Sequence, residues 1–175
     1  MFTDYFSEEK IKNMKTIKDA IIKILEEDCR YPASQIATML GESESVIKNL
    51  IKEMEDDGVI VKYTAIVDDT KKDDMVEALI EVKVTPQKNM GFDSIAEEIY
   101  CFDEVKSLYL MSGAYDLAVF IEGKTLKQIA SFVSEKLSTL DTVLSTATHF
   151  ILKKYKIEGT IVEGKDKGER LMFQP

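Results

Sequence analysis

The order of strand-like and helix-like segments between residues 78 and 153 restricts the fold more than any other feature of this sequence. Four segments are rich in the β-branched and aromatic residues that favour strands, and two repeat apolar residues at the spacing of an α-helix. The predicted strands are residues 78–84, 105–111, 115–121 and 143–153, and the predicted helices are residues 92–100 and 126–137. This order is typical of a ferredoxin-like βαββαβ domain, in which two helices cover one face of an antiparallel sheet.

The third predicted strand indicates that this domain needs a partner. Its residues Leu117 to Ile121 are all apolar, without the alternation of a strand that has one solvent-exposed face. Two helices cover only one face of a single sheet, so the opposite face needs another cover. A second copy of the domain, packed face to face, would supply it. The sequence therefore predicts a homodimer.

The N-terminal third of the chain follows a helical pattern instead. The predicted helices are residues 15–28, 33–40 and 43–57. Pro32 separates the first two helices, Gly41 provides the tight turn before the third, and Ser43 is a good N-cap for it. Residues 59–61 and 63–67 are rich in β-branched residues and predict a small strand or hairpin. We therefore expect a winged-helix-like helix-turn-helix domain.

The two patterns divide the chain and place it in the α+β class. The predicted parts are a helix-turn-helix domain at 1–68, a short charged linker at 69–74, the ferredoxin-like domain at 75–155, and a C-terminal tail at 156–175. Apolar residues at 159–162 and 171–173 could add strands at the edge of the sheet.

Composition limits the function further. The 175-residue chain has a formal net charge of −9, and an acidic chain binds bulk DNA weakly because phosphate neutralisation supplies most non-specific affinity. DNA binding would therefore require basic residues concentrated on one face. No signal peptide and no membrane-spanning run of roughly 18 apolar residues is recognisable, so a cytoplasmic protein is expected. The two cysteines, Cys29 and Cys101, lack a metal-binding spacing, and we expect no metal or cofactor.

The third helix carries the pattern of a DNA-contacting helix. One face is apolar, and Ser45, Lys48, Asn49 and Lys52 recur at the same spacing on the opposite face. Lysine can contact phosphate or guanine, asparagine can contact adenine, and serine can contact either kind of base. The alternative is an ordinary solvated helix face, because several acidic residues flank these lysines.

Two groups of motifs occur in order along the chain. The first comprises residues 28–41 (DCRYPASQIATMLG), 43–47, 54–60 and 63–68, and the second is the segment SGAYDL at 112–117. Together they resemble the Lrp/AsnC family of bacterial and archaeal regulators, over about residues 15–155. The second motif looks like the glycine–x–tyrosine–aspartate turn between two strands of that family's effector domain.

The resemblance implies a DNA-binding N-terminal domain, dimers built through the C-terminal sheets that often assemble into octamers, and regulation by an amino acid or similar small effector. Carried over by position, the residues facing the major groove of double-stranded DNA would be Ser43, Ser45, Lys48, Asn49 and Lys52. Ser34 and Gln35 would contact the DNA backbone, and Lys62 and Tyr63 would make flanking contacts. Many relatives have consecutive arginines where this chain has Asn49 and Leu50, so we expect weaker binding or a stronger dependence on oligomer avidity.

The resemblance also implies an effector site around Gly113, Tyr115 and Asp116, with Thr146 and Thr148 as contributors of hydroxyl groups. Glycine permits close backbone approach or a positive φ, and the carboxylate could accept hydrogen bonds from a ligand's ammonium group. The alternative is a plain hairpin turn, in which the aspartate bonds local backbone.

Two other functions remain open on the sequence. An oligomeric small-molecule sensor without DNA binding would suit the acidic N-terminal domain. An enzyme is the second, because haem-pathway decarboxylases share this two-domain build. The single histidine, His149, has no partner that would make a catalytic arrangement, so we expect a packed or interface residue and no catalysis.

Overall fold

The computed structural model describes residues 2–67, 75–85 and 91–162, with side chains described from residue 14 onward. The chain forms two compact units, residues 1–65 and 66–175. The predicted linker at 69–74 lies outside the described residues.

Three helices form the first unit, as predicted. They are α1 (Phe2–Glu27), α2 (Ala33–Leu40) and α3 (Glu44–Asp56). Helix α2 ends at Gly41, whose φ of 69° is left-handed and whose backbone N–H donates to the carbonyl oxygen of Ala37. Ser43 caps α3 by accepting a hydrogen bond from the Val46 N–H. Helix α1 begins well before the predicted residue 15, since the preceding segment contains no glycine or proline to stop it.

The core of this unit is formed by one face of each helix. Its fully or almost fully buried side chains are Ile21 from α1, Ile36 and Ala37 from α2, and Ile47, Leu50 and Met54 from α3. All three from α3 lie on the predicted apolar face, so the opposite face of α3 is turned away from the core.

The prediction of a strand or hairpin after α3 is wrong. Residues 59–67 contain no strand. Gly58 adopts a φ of 70°, and the backbone N–H groups of Val59 and Ile60 both donate to the Met54 carbonyl oxygen, at 2.8 and 3.0 Å. These donors satisfy the end of α3, so they are unavailable for a β-ladder. Ile60 instead packs against the three-helix core.

The second unit has the predicted order of elements. It consists of β1 (Val76–Val84), α4 (Phe92–Tyr100), β2 (Val105–Leu110), β3 (Leu117–Gly123), α5 (Leu126–Glu135), a 3₁₀ turn (Leu137–Thr139) and β4 (Val143–Phe150). The four strands form one antiparallel sheet in the order β2-β3-β1-β4, which is the ferredoxin-like arrangement.

The two faces of this sheet differ in their cover. On one face, α4 and α5 bury alternate strand residues such as Ile80, Val82 and Val119, and Phe132 of α5 packs edge-to-face on Phe102 with ring centroids 5.6 Å apart. Their neighbours along the strands lie on the other face, which no described element of the chain covers. The side chains there are mixed: Leu79, Tyr109, Ala118 and Phe120 lie among Glu81, Lys83, Glu122 and His149.

The C-terminal part differs from the prediction. Strand β4 ends at Phe150, not at residue 153, and β5 (Lys156–Ile157) pairs with β6 (Thr160–Ile161) in a separate two-stranded sheet. Glu158 and Gly159 both have positive φ, at 43° and 79°, which closes a tight hairpin on itself and keeps this segment off the main sheet. The predicted strand at 171–173 lies outside the described residues.

Candidate DNA-contacting helix and candidate effector turn

Helix α3 presents the predicted polar face to solvent. The side chains of this face are all exposed, namely Ser45, Lys48, Asn49 and Lys52, whereas the apolar residues of the opposite face are buried. The helix therefore offers hydroxyl, amide and ammonium groups along one accessible side. These are donors that can reach base edges and phosphates in a DNA groove.

Hydrogen bonds at the beginning of α3 organise two of the predicted DNA contacts. The Ser43 hydroxyl oxygen accepts from the Val46 N–H at 3.4 Å and lies 3.1 Å from the Ser45 hydroxyl oxygen. Ser43 is thus needed as a helix cap, and Ser45 is the freer of the two hydroxyl groups.

An ion pair within α3 holds one of its two lysines. Lys48 Nζ lies 2.6 Å from Glu44 Oε1, one helical turn earlier, and their side chains are 62% and 49% exposed. Among the residues that the structure describes, Lys52 has no carboxylate within ion-pair distance. The two lysines of this face therefore differ: Lys48 is neutralised within its own helix, and Lys52 has no ion pair with the described residues.

Two further carboxylates of α3 bind side chains outside the polar face. Glu53 Oε1 lies 2.8 Å from Lys18 Nζ of α1, and Glu55 Oε1 accepts a hydrogen bond of 2.8 Å from the Tyr63 hydroxyl. Partial burial and this carboxylate raise the pKa of Tyr63 to about 12. The Tyr63 hydroxyl, predicted as a flanking DNA contact, thus ties the following segment to α3, whereas Lys62 is exposed.

The beginning of α2 carries the two residues predicted to contact the DNA backbone. Ser34 and Gln35 are both exposed, and Pro32, at the N-cap position, provides no side-chain hydrogen bond. The Pro32 carbonyl oxygen accepts from the N–H groups of Gln35 and Ile36, at 2.9 and 3.1 Å. The Gln35 side chain therefore remains accessible, but its backbone N–H is already used.

The candidate effector turn joins β2 to β3, and its aspartate is bonded to another strand. Asp116 Oδ2 accepts a hydrogen bond of 2.9 Å from the Val84 N–H, and the Asp116 N–H donates to the Val82 carbonyl oxygen at 3.0 Å. Val84 lies where the register of β1 against β4 shifts, between Lys83 and Val84. The carboxylate thus holds the end of β1. The expected alternative, in which Asp116 bonds backbone within its own turn, does not describe this arrangement.

Of the two uses of glycine expected at Gly113, the structure shows open space for close approach and no positive φ. Its φ is not among the positive values of the described glycines, and a Cβ added to it would meet no atom within 4 Å. Nothing in the described part of one chain therefore requires glycine there. Tyr115 is half-buried beside it.

The two predicted threonines lie on β4, at the sheet edge. Thr146 and Thr148 pair with Val82 and Ile80, and both are half-buried. Thr146, Val82 and Leu117 occupy one row across three strands, so Thr146 and Asp116 lie towards the same end of the sheet. Two strand spacings, about 9.6 Å, separate β4 from β3 in such a row. The width of β1 therefore lies between these threonines and the turn.

A cavity of about 400 Å³ lies elsewhere in the second unit and includes none of the predicted effector residues. It borders Gly123 and α5, where Lys136 Nζ lies 2.5 Å from Glu104 Oε1. The Lys136 ammonium group lowers the pKa of Glu104. A Cβ on Gly123 would lie 3.2 Å from Ile129 Cδ1. No sequence motif marked this cavity, because it depends on residues 32 positions apart.

His149 lies on the uncovered sheet face, half exposed, with Nε2 3.4 Å from Glu81 Oε1. Within the described residues, no group of three histidine, cysteine or acidic side chains is arranged to hold a metal ion. None of the helices among these residues has the length and apolar character required to cross a membrane.

Comparison with known proteins gives matches for both units. Residues 14–61 match the family model described as winged helix-turn-helix DNA-binding, and residues 77–161 match the Lrp/AsnC ligand binding domain. The chain is 48% identical over 157 residues to YugG of Bacillus subtilis, an uncharacterized HTH-type transcriptional regulator, covering 89% of this chain and 95% of that protein. It is 30% identical over 136 residues to the HTH-type transcriptional regulator LrpA of Pyrococcus horikoshii, covering 78% and 94%.

The fold also matches solved structures. A transcriptional regulator from Neisseria meningitidis, in a complex with L-Met, has a TM-score of 0.67 to this chain at 21% identity and covers 81% of this chain and 91% of that one. The structure of E. coli AsnC has a TM-score of 0.65 to this chain at 19% identity and covers 81% of this chain and 94% of that one.

Proposed function

This chain belongs to the Lrp/AsnC family of transcriptional regulators, and from that premise we propose that α3 enters the major groove of double-stranded DNA. The observation that carries this proposal is the accessible polar face of α3, where Ser45, Asn49 and Lys52 lie opposite a buried apolar face and Lys52 has no ion pair with the residues that the structure describes. Lys52 supplies the charge for a phosphate or guanine, and Asn49 can bond an adenine edge. Lys48 joins them when its ion pair opens.

The remaining DNA contacts surround this helix. Ser34 and Gln35 on α2 would bond phosphate oxygens, and Lys62 would contact the flanking backbone. Ser43 supports the groove contacts as the cap of α3, and Tyr63 supports them through its hydrogen bond to Glu55. Each of these side chains is exposed, so no rearrangement of the unit is needed to reach a duplex.

We further propose that the chain acts as a homodimer and assembles into larger oligomers such as an octamer. The sheet face opposite α4 and α5 has apolar side chains and no cover from its own chain among the described residues. A chain of net charge −9 is expected to bind DNA weakly as a single copy. Several linked copies would bind more tightly, because linked sites bind with avidity.

The second unit is proposed to bind an amino acid or a similar small metabolite at the turn around Gly113, Tyr115 and Asp116. The open space around Gly113 supports this, since a second subunit or a ligand can approach the backbone closely there. Thr146 and Thr148 lie two strands away from the turn, and the space around Gly113 is open, so we expect a neighbouring subunit to complete the site. The regulator from Neisseria meningitidis was solved as an L-Met complex.

A regulator of this kind needs no catalytic group, and we propose that the chain is not an enzyme and acts in the cytoplasm, where bacterial and archaeal chromosomes lie. A sensor that does not bind DNA is the second candidate. It is favoured by the acidic groups around α3, one of which neutralises Lys48.

The experiment that tests the proposal replaces Lys52 with alanine and measures binding to duplex DNA from the region upstream of the protein's own gene at several salt concentrations. Loss of one phosphate contact per subunit should weaken binding to all sequences and reduce the salt slope by about 0.9 for each subunit. Lys127→Ala, on exposed residue 127 of α5, is the control for loss of one positive charge. Equal behaviour of the two variants would remove α3 from the interface, and absence of any complex would favour the sensor.

A further inference from the structure

One acidic residue lies in the first turn of the helix proposed to enter the major groove. Glu44 follows the cap residue Ser43 and is exposed. In helix-turn-helix proteins the residues at the beginning of this helix contact base edges. A carboxylate at that place is repelled by phosphates and by the acceptor atoms of guanine, so it opposes binding to most sequences.

In the structure the Glu44 carboxylate forms an ion pair with Lys48. Glu44 Oε1 lies 2.6 Å from Lys48 Nζ, in the (i, i+4) order that is favourable on a helix. With side chains 49% and 62% exposed, the pair contributes little to the stability of the fold, and a better set of partners can displace it. While it is closed, one of the two lysines of the polar face is neutralised.

We propose that Glu44 is a specificity-determining residue that makes this helix select a G·C base pair. Cytosine presents only an amino donor in the major groove, which a carboxylate accepts, and guanine presents the acceptors that Lys48 can reach. Adenine also has an amino group, but its neighbouring N7 acceptor repels the carboxylate. At a G·C pair the ion pair opens, and Glu44 bonds the cytosine while Lys48 bonds the guanine. At other pairs Glu44 keeps Lys48 from the DNA.

This inference rests on the proposed insertion of α3 into DNA and adds the base that it selects. The test uses the full-length chain, a library of duplexes with randomised sequence, and the variant Glu44→Gln. Glu98→Gln is the matched control, because it removes the same charge from an exposed residue of α4 in the other unit. Circular dichroism of each variant checks that the helices are retained.

The wild-type chain and Glu98→Gln should select duplexes with cytosine at a fixed position, and Glu44→Gln should lose about tenfold of that preference. Identical base frequencies for wild type and Glu44→Gln, in a selection that Lys52→Ala weakens, would overturn the inference and leave the proposed DNA binding intact. Failure of the wild-type chain to enrich any duplex would overturn both.

A second measurement tests the role of Lys48. On a fixed alternating dA·dT duplex, Glu44→Gln should bind more tightly and its salt slope should steepen by about 0.9 for each subunit, because Lys48 becomes free to contact a phosphate. In a Lys48→Ala background the same substitution should leave the salt slope unchanged. An equal steepening of the salt slope in both backgrounds would show an effect of net charge alone and would contradict the ion-pair exchange.

Discussion

The hydrogen bond from the Val84 N–H to the Asp116 carboxylate predicts that Asp116 stabilises the fold even when no effector is bound. Asp116→Ala removes a charged acceptor and leaves a backbone donor at the end of β1 without its partner. Hydrogen bonds to charged groups contribute about 1.5–3 kcal/mol, and the partial burial of this one favours the lower part of that range. We therefore expect Asp116→Ala to lower the free energy of unfolding of the second unit by about 1.5–2 kcal/mol.

The measurement is urea and thermal unfolding without added effector, followed by near-ultraviolet circular dichroism. For a domain of about 100 residues the expected loss corresponds to a decrease in melting temperature of about 6–15 °C. Asp116→Asn is the control, because it keeps an oxygen that accepts from Val84 and removes only the charge, so its loss should be about half as large.

The result distinguishes a structural role from a role in ligand binding alone. If Asp116→Ala unfolds at the wild-type temperature and loses only its response to amino acids, the carboxylate is free for the ligand and the contact with Val84 does not matter. If Asp116→Ala is less stable even without effector, the carboxylate acts on the fold first, and any effect on ligand binding includes displacement of the end of β1.

Three other predictions concern packing and ionisation. Ile47→Ala in the core of the first unit should lower its stability by about 2–5 kcal/mol, measured by urea unfolding against the solvent-exposed change Asn49→Ala. The Lys136 ammonium group lowers the pKa of Glu104 below its ordinary value of 4.5. Wild type should therefore be more stable than Lys136→Met above pH 4.5, and this difference in unfolding free energy should decline as the pH falls below 4.5. A difference independent of pH would contradict this. The difference between the absorbance titrations of wild type and Tyr63→Phe should give Tyr63 a pKa of about 12, and its stabilising effect should be lost as the pH rises from 10 through that value. A difference that titrates near 10 would show that the phenol is not held by its carboxylate partner.

Much of the first unit was predictable because its signals are local. Pro32, Gly41 and Ser43 mark the ends of helices through backbone conformation and capping, which depend on a few neighbouring residues. The apolar spacing of α3 also identified its accessible face. By contrast, the β-branched residues at 59–67 suggested strands that do not form, because a strand depends on a partner and the N–H groups of Val59 and Ile60 bond to the end of α3.

The candidate sites show the same division. The pairing of Glu44 with Lys48 follows from their spacing on one helix, but the pairing of Glu53 with Lys18 joins two helices that only the folded core brings together. The aspartate of the effector turn was recognisable from its motif. Its bond to Val84, 32 residues away, was not.

The sequence alone determined the order of elements, the family and the composition of the polar face of α3, because periodicity and motifs are properties of short segments. The tertiary structure decided which of its charges are free, where Asp116 is bonded and which sheet face lacks a cover. Those features depend on distances between residues far apart in the chain, and these distances exist only after the helices and strands have packed.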